Sequence, residues 1–350
     1  MNILITGGCG FLGSNIAASY LQEGSRVTII DRMLKRGCWE NFHWLEGMRC
    51  RPGCLELVQT DIAEIGSLED VFSRRGPFDY VCHFAGQVAM TFSMKDPIAD
   101  FRTNALGTMN LLEVSRRKSP DCFFAFSSTN KVYGDLKHLR YGETETRYCL
   151  LDYPKGIDES MSVDFASPYG CSKGCADQYV KDWYRNFGLE TVVFRHSSIY
   201  GQRQYAPEDQ GWVGWSTTQA IQQQRCRLEG SSVKPFAISG SGKQVRDLLD
   251  SRDLVALYRQ AFQHRQQCAG EVFNIGGGIR NSVSMLELFQ MLEDLLGMNQ
   301  GLVFDKLPRR QSDQDFFVAD IDKAERVLGW SPSIGVLEGL TQMIQWVQGI

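Results

Sequence analysis

The chain has 350 residues, 43% of them hydrophobic, and 37 Lys and Arg against 41 Asp and Glu, for a formal net charge of −4. That charge gives no electrostatic support to a nucleic-acid or membrane-surface role, and no apolar run is long enough to span a bilayer. The length fits one large or two ordinary domains, with enough apolar residues for a sizeable core.

The chain opens in a strand at 2–6, with no basic segment followed by an apolar one, so no secretory signal is expected. Thr6-Gly7-Gly8-Cys9-Gly10-Phe11-Leu12-Gly13 follows that strand, and an amphipathic helical segment over 15–22 comes next. In this order Gly7 permits a tight turn, Gly10 lets backbone amides approach a pyrophosphate, and Gly13 allows close helix–strand packing. Phe11 and Leu12, at the helix start, join them as expected cofactor contacts. A second strand over 26–30 ends on Asp31, placed to bind a ribose 2′-hydroxyl. An acid there favours NAD, although Arg32, Lys35 and Arg36 follow and basic residues in that loop accommodate NADP.

Further strands are expected at 56–59, 80–84, 122–127 and 190–195, with helices over 98–117 and 168–187 between them. The alternation predicts an α/β doubly wound parallel (Rossmann) sheet covered on both faces. Functional groups then gather at the carboxyl ends of its strands: Thr6, Asp31, Asp61, Phe84-Ala85-Gly86, Ser127-Ser128-Thr129 and the segment after Arg195. Beyond about residue 200, strand-like pieces at 236–238 and 272–275 mix with helices at 254–263, 284–296 and 337–347. This is read as a smaller C-terminal α/β substrate-binding domain over 201–350, attached to a dinucleotide-binding domain over 1–200. The boundary is soft, because its segments can return to the first sheet.

The 11 cysteines do not form a metal pattern. Cys50/Cys54 and Cys171/Cys175 are each four apart and lack a partner pair at zinc spacing. Cys9, Cys82 and Cys122 fall in or beside buried strands. No metal is expected, and scattered cysteines fit a reducing cytoplasm.

Two signatures carry the chemistry. In Tyr169-Gly170-Cys171-Ser172-Lys173, Tyr and Lys four apart on a helix share a face, and an ammonium beside a phenol favours the phenolate. Such a tyrosine removes a hydroxyl proton while a hydride leaves the adjacent carbon. Ser127-Ser128-Thr129-Asn130-Lys131-Val132-Tyr133-Gly134 ends the fifth strand, where hydroxyls reach the reacting oxygen.

Together with the glycine fingerprint, these residues resemble the extended short-chain dehydrogenase/reductase superfamily. The resemblance implies Thr129, Tyr169 and Lys173 as the catalytic residues. Lys173 then also orients the nicotinamide ribose, beside Tyr169. Asn104 matches a cofactor-side helix motif and Asp61-Ile62 an adenine-contacting turn; Ala85 and Gly86 complete the cofactor set. Sugar-nucleotide dehydratases of the superfamily carry Asp-Glu after the catalytic Thr, where this chain has Asn130 and Lys131. An amide and an ammonium cannot replace that acid pair, so dehydration is not expected.

A closer resemblance, to the CDP-paratose 2-epimerase (CDP-tyvelose epimerase) family, runs through 85–90, 127–135, 141–148, 167–179, 194–200, 209–215 and 239–247. It includes a long insertion, about 135–166, before the tyrosine. It implies a CDP-sugar substrate, held NAD and inversion at C2 of a dideoxyhexose through a keto sugar. Superfamily matching places Arg246 and Arg310 on the diphosphate, or else in surface salt bridges. Ser198 stands where relatives hold an amide on the nucleotide phosphate. Gln87, Arg203 and Gln204 are further substrate candidates, and Asn130 and Lys131 either touch sugar hydroxyls or serve the turn. His196 and His83 are read as packed residues. A 4-epimerase, a CDP-glucose-type 2-epimerase and a net nucleotide-sugar reductase remain as alternatives. A dimer or tetramer is usual for relatives.

Overall fold

The computed structural model describes residues 1–48, 53–310 and 312–350; Cys50 lies outside them. Seven strands form one parallel sheet: β1 (Asn2–Thr6), β2 (Arg26–Asp31), β3 (Leu55–Gln59), β4 (Tyr80–His83), β5 (Phe123–Thr129), β6 (Thr191–His196) and β7 (Val272–Ile275). Their order across the sheet is β7-β6-β5-β4-β1-β2-β3. The chain starts in the middle, winds to one edge and then reverses, which leaves a crevice above the carboxyl ends of β1 and β4.

Both faces of the sheet are covered, as runs of consecutive apolar residues require. Ile3, Ile5, Val27, Ile29, Val192 and Phe194 pack under α1 (Phe11–Gln22), α2 (Cys38–Glu46) and the helix Ser251–Gln263. Leu4, Ile30, Val81, Phe124, Phe126 and Val193 face α3 (Ile65–Arg75), α4 (Gly107–Lys118) and α5 (Ser167–Phe187).

The helix expected over 98–117 is interrupted. A short helix at Pro97–Phe101 passes into a π turn, Arg102–Leu106, before α4 begins. The wider turn carries Asn104, and π turns inside α-helices are common where a side chain must be aimed.

The chain after residue 200 is interleaved with the sheet. Helix Ser251–Gln263 packs on α1's side of it and β7 adds its seventh strand. The remaining segments build a second core around Ile221, Phe236, Ile238, Leu288, Phe289 and Leu340. There, Val245–Asp250 runs beside Ser198–Tyr200, Ser282–Ser284 and Phe316–Phe317. The stretch over 135–166 contains an antiparallel hairpin, Tyr141–Glu143 with Tyr148–Leu150. Its root packs on Val132, Tyr133 and Phe317, which ties it to the turn after β5.

Candidate active site

The glycine loop forms a cradle at the end of β1. Gly7 has φ +68°, and a Cβ on it would press on the Ala85 backbone at 2.7 Å. A Cβ on Gly13 would collide with Gly7's own carbonyl, so α1 leaves the strand at van der Waals distance. Gly10 caps α1 with extended backbone and no side-chain bond, which leaves the first-turn amides, at Phe11 and Leu12, for an anion. Asp31 is held at the end of β2 by the amides of Cys9 (3.1 Å) and Met33 (2.9 Å). An uncapped helix start beside a fixed carboxylate fits a dinucleotide with a free ribose hydroxyl.

The basic loop after Asp31 is largely engaged. Arg32 pairs with Asp61 at 3.3 Å, and Lys35 Nζ donates to the Gly86 carbonyl at 3.1 Å. Those two cations are therefore not placed for a ribose 2′-phosphate. Asp61 also accepts from the Ala63 amide (2.9 Å), and Ile62 is buried core packed against Gly107. The Asp61 carboxylate, partly exposed, keeps acceptor lone pairs for an adenine amino group.

Thr129, at the end of β5, and Tyr169 and Lys173, on the first two turns of α5, are all buried. The Thr129 hydroxyl accepts the Lys131 amide at 3.2 Å and lies near enough to the Tyr169 phenol to favour its ionised form. Burial is the larger effect: it pushes the phenol up to about 12, the Thr129 hydroxyl works against it, and the Asp100 carboxylate adds to it. Burial also brings the Lys173 amine down to about 7, opposed by Asp177 and Asp100. The expected ammonium–phenol pairing is not made directly. Lys173 Nζ donates to the Ser127 carbonyl at 2.6 Å and lies 4.1 Å over the Phe126 ring.

Asn104 is buried and its amide faces Gln87, Asp100 and Ser172. Ala85's amide donates to Thr6 (3.2 Å), so Ala85 and Gly86 close the cleft between β1 and β4. His83 is sealed between the hydroxyls of Thr6 (2.6 Å) and Thr108 (2.9 Å), a packed residue.

His196 is 5% exposed, with neither ring nitrogen hydrogen-bonded. Burial first, and the charge of Lys173 second, bring its pKa down to about 3. A histidine depressed in the fold takes up protons more readily when unfolded, so stability falls as pH drops below about 6.5. In urea unfolding the stability of His196→Phe relative to the parent should rise by about 2 kcal/mol from pH 7 to pH 5. A constant gap would rule this out.

Several expected substrate contacts are placed differently. Gln87 turns its amide inward, donating to Asp100 at 2.7 Å and to the Ala89 carbonyl at 2.8 Å, because that buried carboxylate needs donors. Asn130 donates to Gln314 (3.1 Å) and Lys131 to Asp313 (3.0 Å), so both fasten the turn after β5 to the C-terminal segment. Arg246 commits its donors to Asp313 (2.9 Å) and the carbonyls of Val245 and Gln314. With two cations against it, Asp313 is held below the usual carboxylate range despite its burial. Arg203 lies over the Trp44 ring at 4.1 Å, on α2 rather than beside Tyr169. Gln204 donates to the Ile199 carbonyl (3.3 Å), and Ser198 accepts from Trp212 Nε1 (3.1 Å). Among the described residues Arg310 makes a single bond, to the Ser239 hydroxyl at 3.2 Å.

Sequence reasoning missed Asp100, Ser172, Asp177 and Asp313. Asp100 lies one helical turn before Asn104, and Ser172 lies inside the Tyr169–Lys173 motif, so spacing could have flagged both.

Comparison with known proteins agrees with this geometry. A family model described as GDP-mannose 4,6 dehydratase matches residues 4–343. CDP-paratose 2-epimerase of Salmonella typhi is 48% identical over 350 residues, covering 100% of both chains. UDP-glucose 4-epimerase of Thermotoga maritima with UDP-glucose superposes with TM-score 0.80 at 28% identity, over 100% of this chain and 99% of that one. The Thermus thermophilus UDP-glucose 4-epimerase complex with NAD gives 0.79 at 25%, with the same coverage. With the glycine cradle, the Tyr169–Lys173 helix and these full-length matches together, the chain belongs to the family described as GDP-mannose 4,6 dehydratase, within the extended short-chain dehydrogenase/reductases, and is related along its whole length to CDP-paratose 2-epimerase.

Proposed function

We propose that this chain is an NAD-dependent isomerase that inverts C2 of a CDP-linked 3,6-dideoxyhexose, converting CDP-paratose to CDP-tyvelose. The observation that carries the reading is the burial of Thr129, Tyr169 and Lys173 together beside the glycine cradle, in a chain 48% identical throughout to CDP-paratose 2-epimerase. C2 of such a sugar is not alpha to a carbonyl, so its proton is not acidic and removing it alone cannot invert the carbon. NAD, when bound, supplies a carbon that accepts and returns a hydride and a positive ring whose field favours the Tyr169 phenolate.

The proton steps belong to this chain. Tyr169 Oη takes the C2-hydroxyl proton and returns it to the same oxygen after the sugar has presented its other face. Thr129 Oγ1 fixes the direction from which that oxygen approaches. Lys173 holds the cofactor's ribose side and keeps a cation near the phenol. Arg310, with one neutral partner, is the guanidinium for the diphosphate, and Asn130 and Lys131 hold the turn that carries Thr129. Because those two side chains are tied to Gln314 and Asp313, the places a dehydratase needs for its acid pair are structural here.

Redox is balanced over the cycle, so the cofactor stays with the protein. Denaturing purified protein should release a nucleotide matching NAD; release of NADP would contradict the Asp31 geometry. We place the enzyme in the cytoplasm as a dimer or tetramer.

The function is tested with CDP-sugars in deuterated water, followed by NMR. Inversion at C2 with no deuterium uptake supports the reading. Deuterium at C2, or a product inverted at C4, removes it.

A further inference from the structure

The end of α5 that carries Tyr169 rests on a buried carboxylate that, among the described residues, has no cation in contact. Asp100 is 0% exposed. Its Oδ1 accepts from Gln87 Nε2 (2.7 Å) and Asn104 Nδ2 (3.3 Å), and its Oδ2 accepts the Ser172 hydroxyl. Asn104 Nδ2 also reaches Ser172 Oγ (3.0 Å) and the Gln87 carbonyl (3.0 Å), while Asn104 Oδ1 accepts the Gln87 amide (2.9 Å). Ser172 lies 3.2 Å from the Tyr169 carbonyl. One carboxylate thus joins three pieces of chain: the segment after β4, the π turn and the first turn of α5.

We propose that Asp100 is a positioning residue for the acid/base pair: through Ser172 and Asn104 it fixes α5 against the cofactor-side π turn, and its buried charge acts on Tyr169 from that position. The inference rests on the role proposed above for Tyr169. Neutral donors alone meet the carboxylate, so its field is not cancelled locally and extends to the groups on α5. Asp100 raises the pKa of both Tyr169 and Lys173. The charged groups on the elements around it include Lys173 on α5, with Asp177 one turn further on, Lys35 reaching in from the β2 loop, Arg102 opening the π turn and paired with Glu64, Lys95 on the preceding short helix and Asp96 at the cap between the two. On the Lys173 amine, Asp177 and Asp100 favour the ammonium and Lys35 opposes it.

Asp100→Asn keeps the shape and removes the charge, because an amide oxygen still accepts from Gln87 and the Ser172 hydroxyl can accept from the new NH2. In protein saturated with NAD and labelled at tyrosine 13Cζ, the Tyr169 resonance is assigned by its loss in Tyr169→Phe. Its titration midpoint should fall by about half a unit to one unit in Asp100→Asn. An unchanged or higher midpoint overturns the proposal. The midpoint does not depend on turnover, so its result is separate from whether a CDP-sugar is inverted at C2.

Ser172→Ala cuts the mechanical link and leaves the charge. It should lower kcat about 10-fold with KM and the midpoint unmoved; unchanged kcat overturns the positioning half. Should Asp100→Asn not fold, Ser172→Ala decides the positioning half, and the same Tyr169 midpoint read in Asp100→Ser decides the charge half, an unchanged or higher midpoint overturning it.

Discussion

Replacing Tyr169 by phenylalanine should lower turnover by about 10²- to 10⁴-fold, the usual worth of a positioned acid/base group. The Thr129 hydroxyl lies near the phenol, and the ring itself is buried and stays so in phenylalanine. The unfolding midpoint should therefore move little, and NAD binding should persist, since the cradle and Asp31 are untouched. Residual activity should not regain its parent value at high pH, because no other group stands ready to take the proton. His196 is neutral and sealed on the opposite face of the sheet from α5, and Lys173 is turned onto a carbonyl. Near-parental turnover in this variant, measured with CDP-paratose, would remove the mechanism.

The largest expected loss of stability comes from Asp177→Ala. Asp177 on α5 is 0% exposed and holds Arg195 on β6 through two bonds, at 2.9 and 2.8 Å, while accepting the Ser128 hydroxyl at 2.8 Å. Arg195 continues to the Tyr133 hydroxyl (2.9 Å), and Tyr133 to Asn274 on β7 (2.8 Å). The chain of bonds crosses helix, two strands and the turn after β5. Removing the carboxylate leaves a buried guanidinium without its counter-ion, at a cost of about 3–5 kcal/mol. Equilibrium unfolding in urea measures it directly. The double variant Asp177→Leu with Arg195→Met should be less damaged than Asp177→Ala alone, because no charge is then stranded. A single variant as stable as the parent would mean the pair is solvated in solution.

Much of the sheet is legible in the sequence because parallel strands covered on both faces must be short and continuously apolar. The strand expected at 122–127 is found at Phe123–Thr129, and the one at 190–195 at Thr191–His196, shifts of one or two residues set by where the last backbone bonds fall. The Tyr169–Lys173 spacing was readable because helical geometry fixes it. What the sequence hides is pairing across long separations. Asp100 and Ser172 are 72 positions apart, and Lys131 and Asp313 are 182 apart. No local pattern tells an acid bound for a buried hydroxyl from one bound for solvent. The same blindness affects Arg246: matching gives it a phosphate, while a carboxylate 67 positions away takes it in the fold. Gln87 is a third case, polar and beside the cleft, yet drawn inward by Asp100.

The seventh strand has a consequence for how the chain must be made. Val272–Ile275 pairs with Val193–His196 along the outer edge of β6, yet it leaves the ribosome about 80 residues later. Until then β6 is an unprotected border of unmatched amides and carbonyls, the kind of edge on which nascent chains pair wrongly with one another. A product truncated near residue 200 should therefore precipitate rather than persist as a small nucleotide-binding protein, and supplying residues 201–350 as a separate polypeptide during synthesis should rescue it.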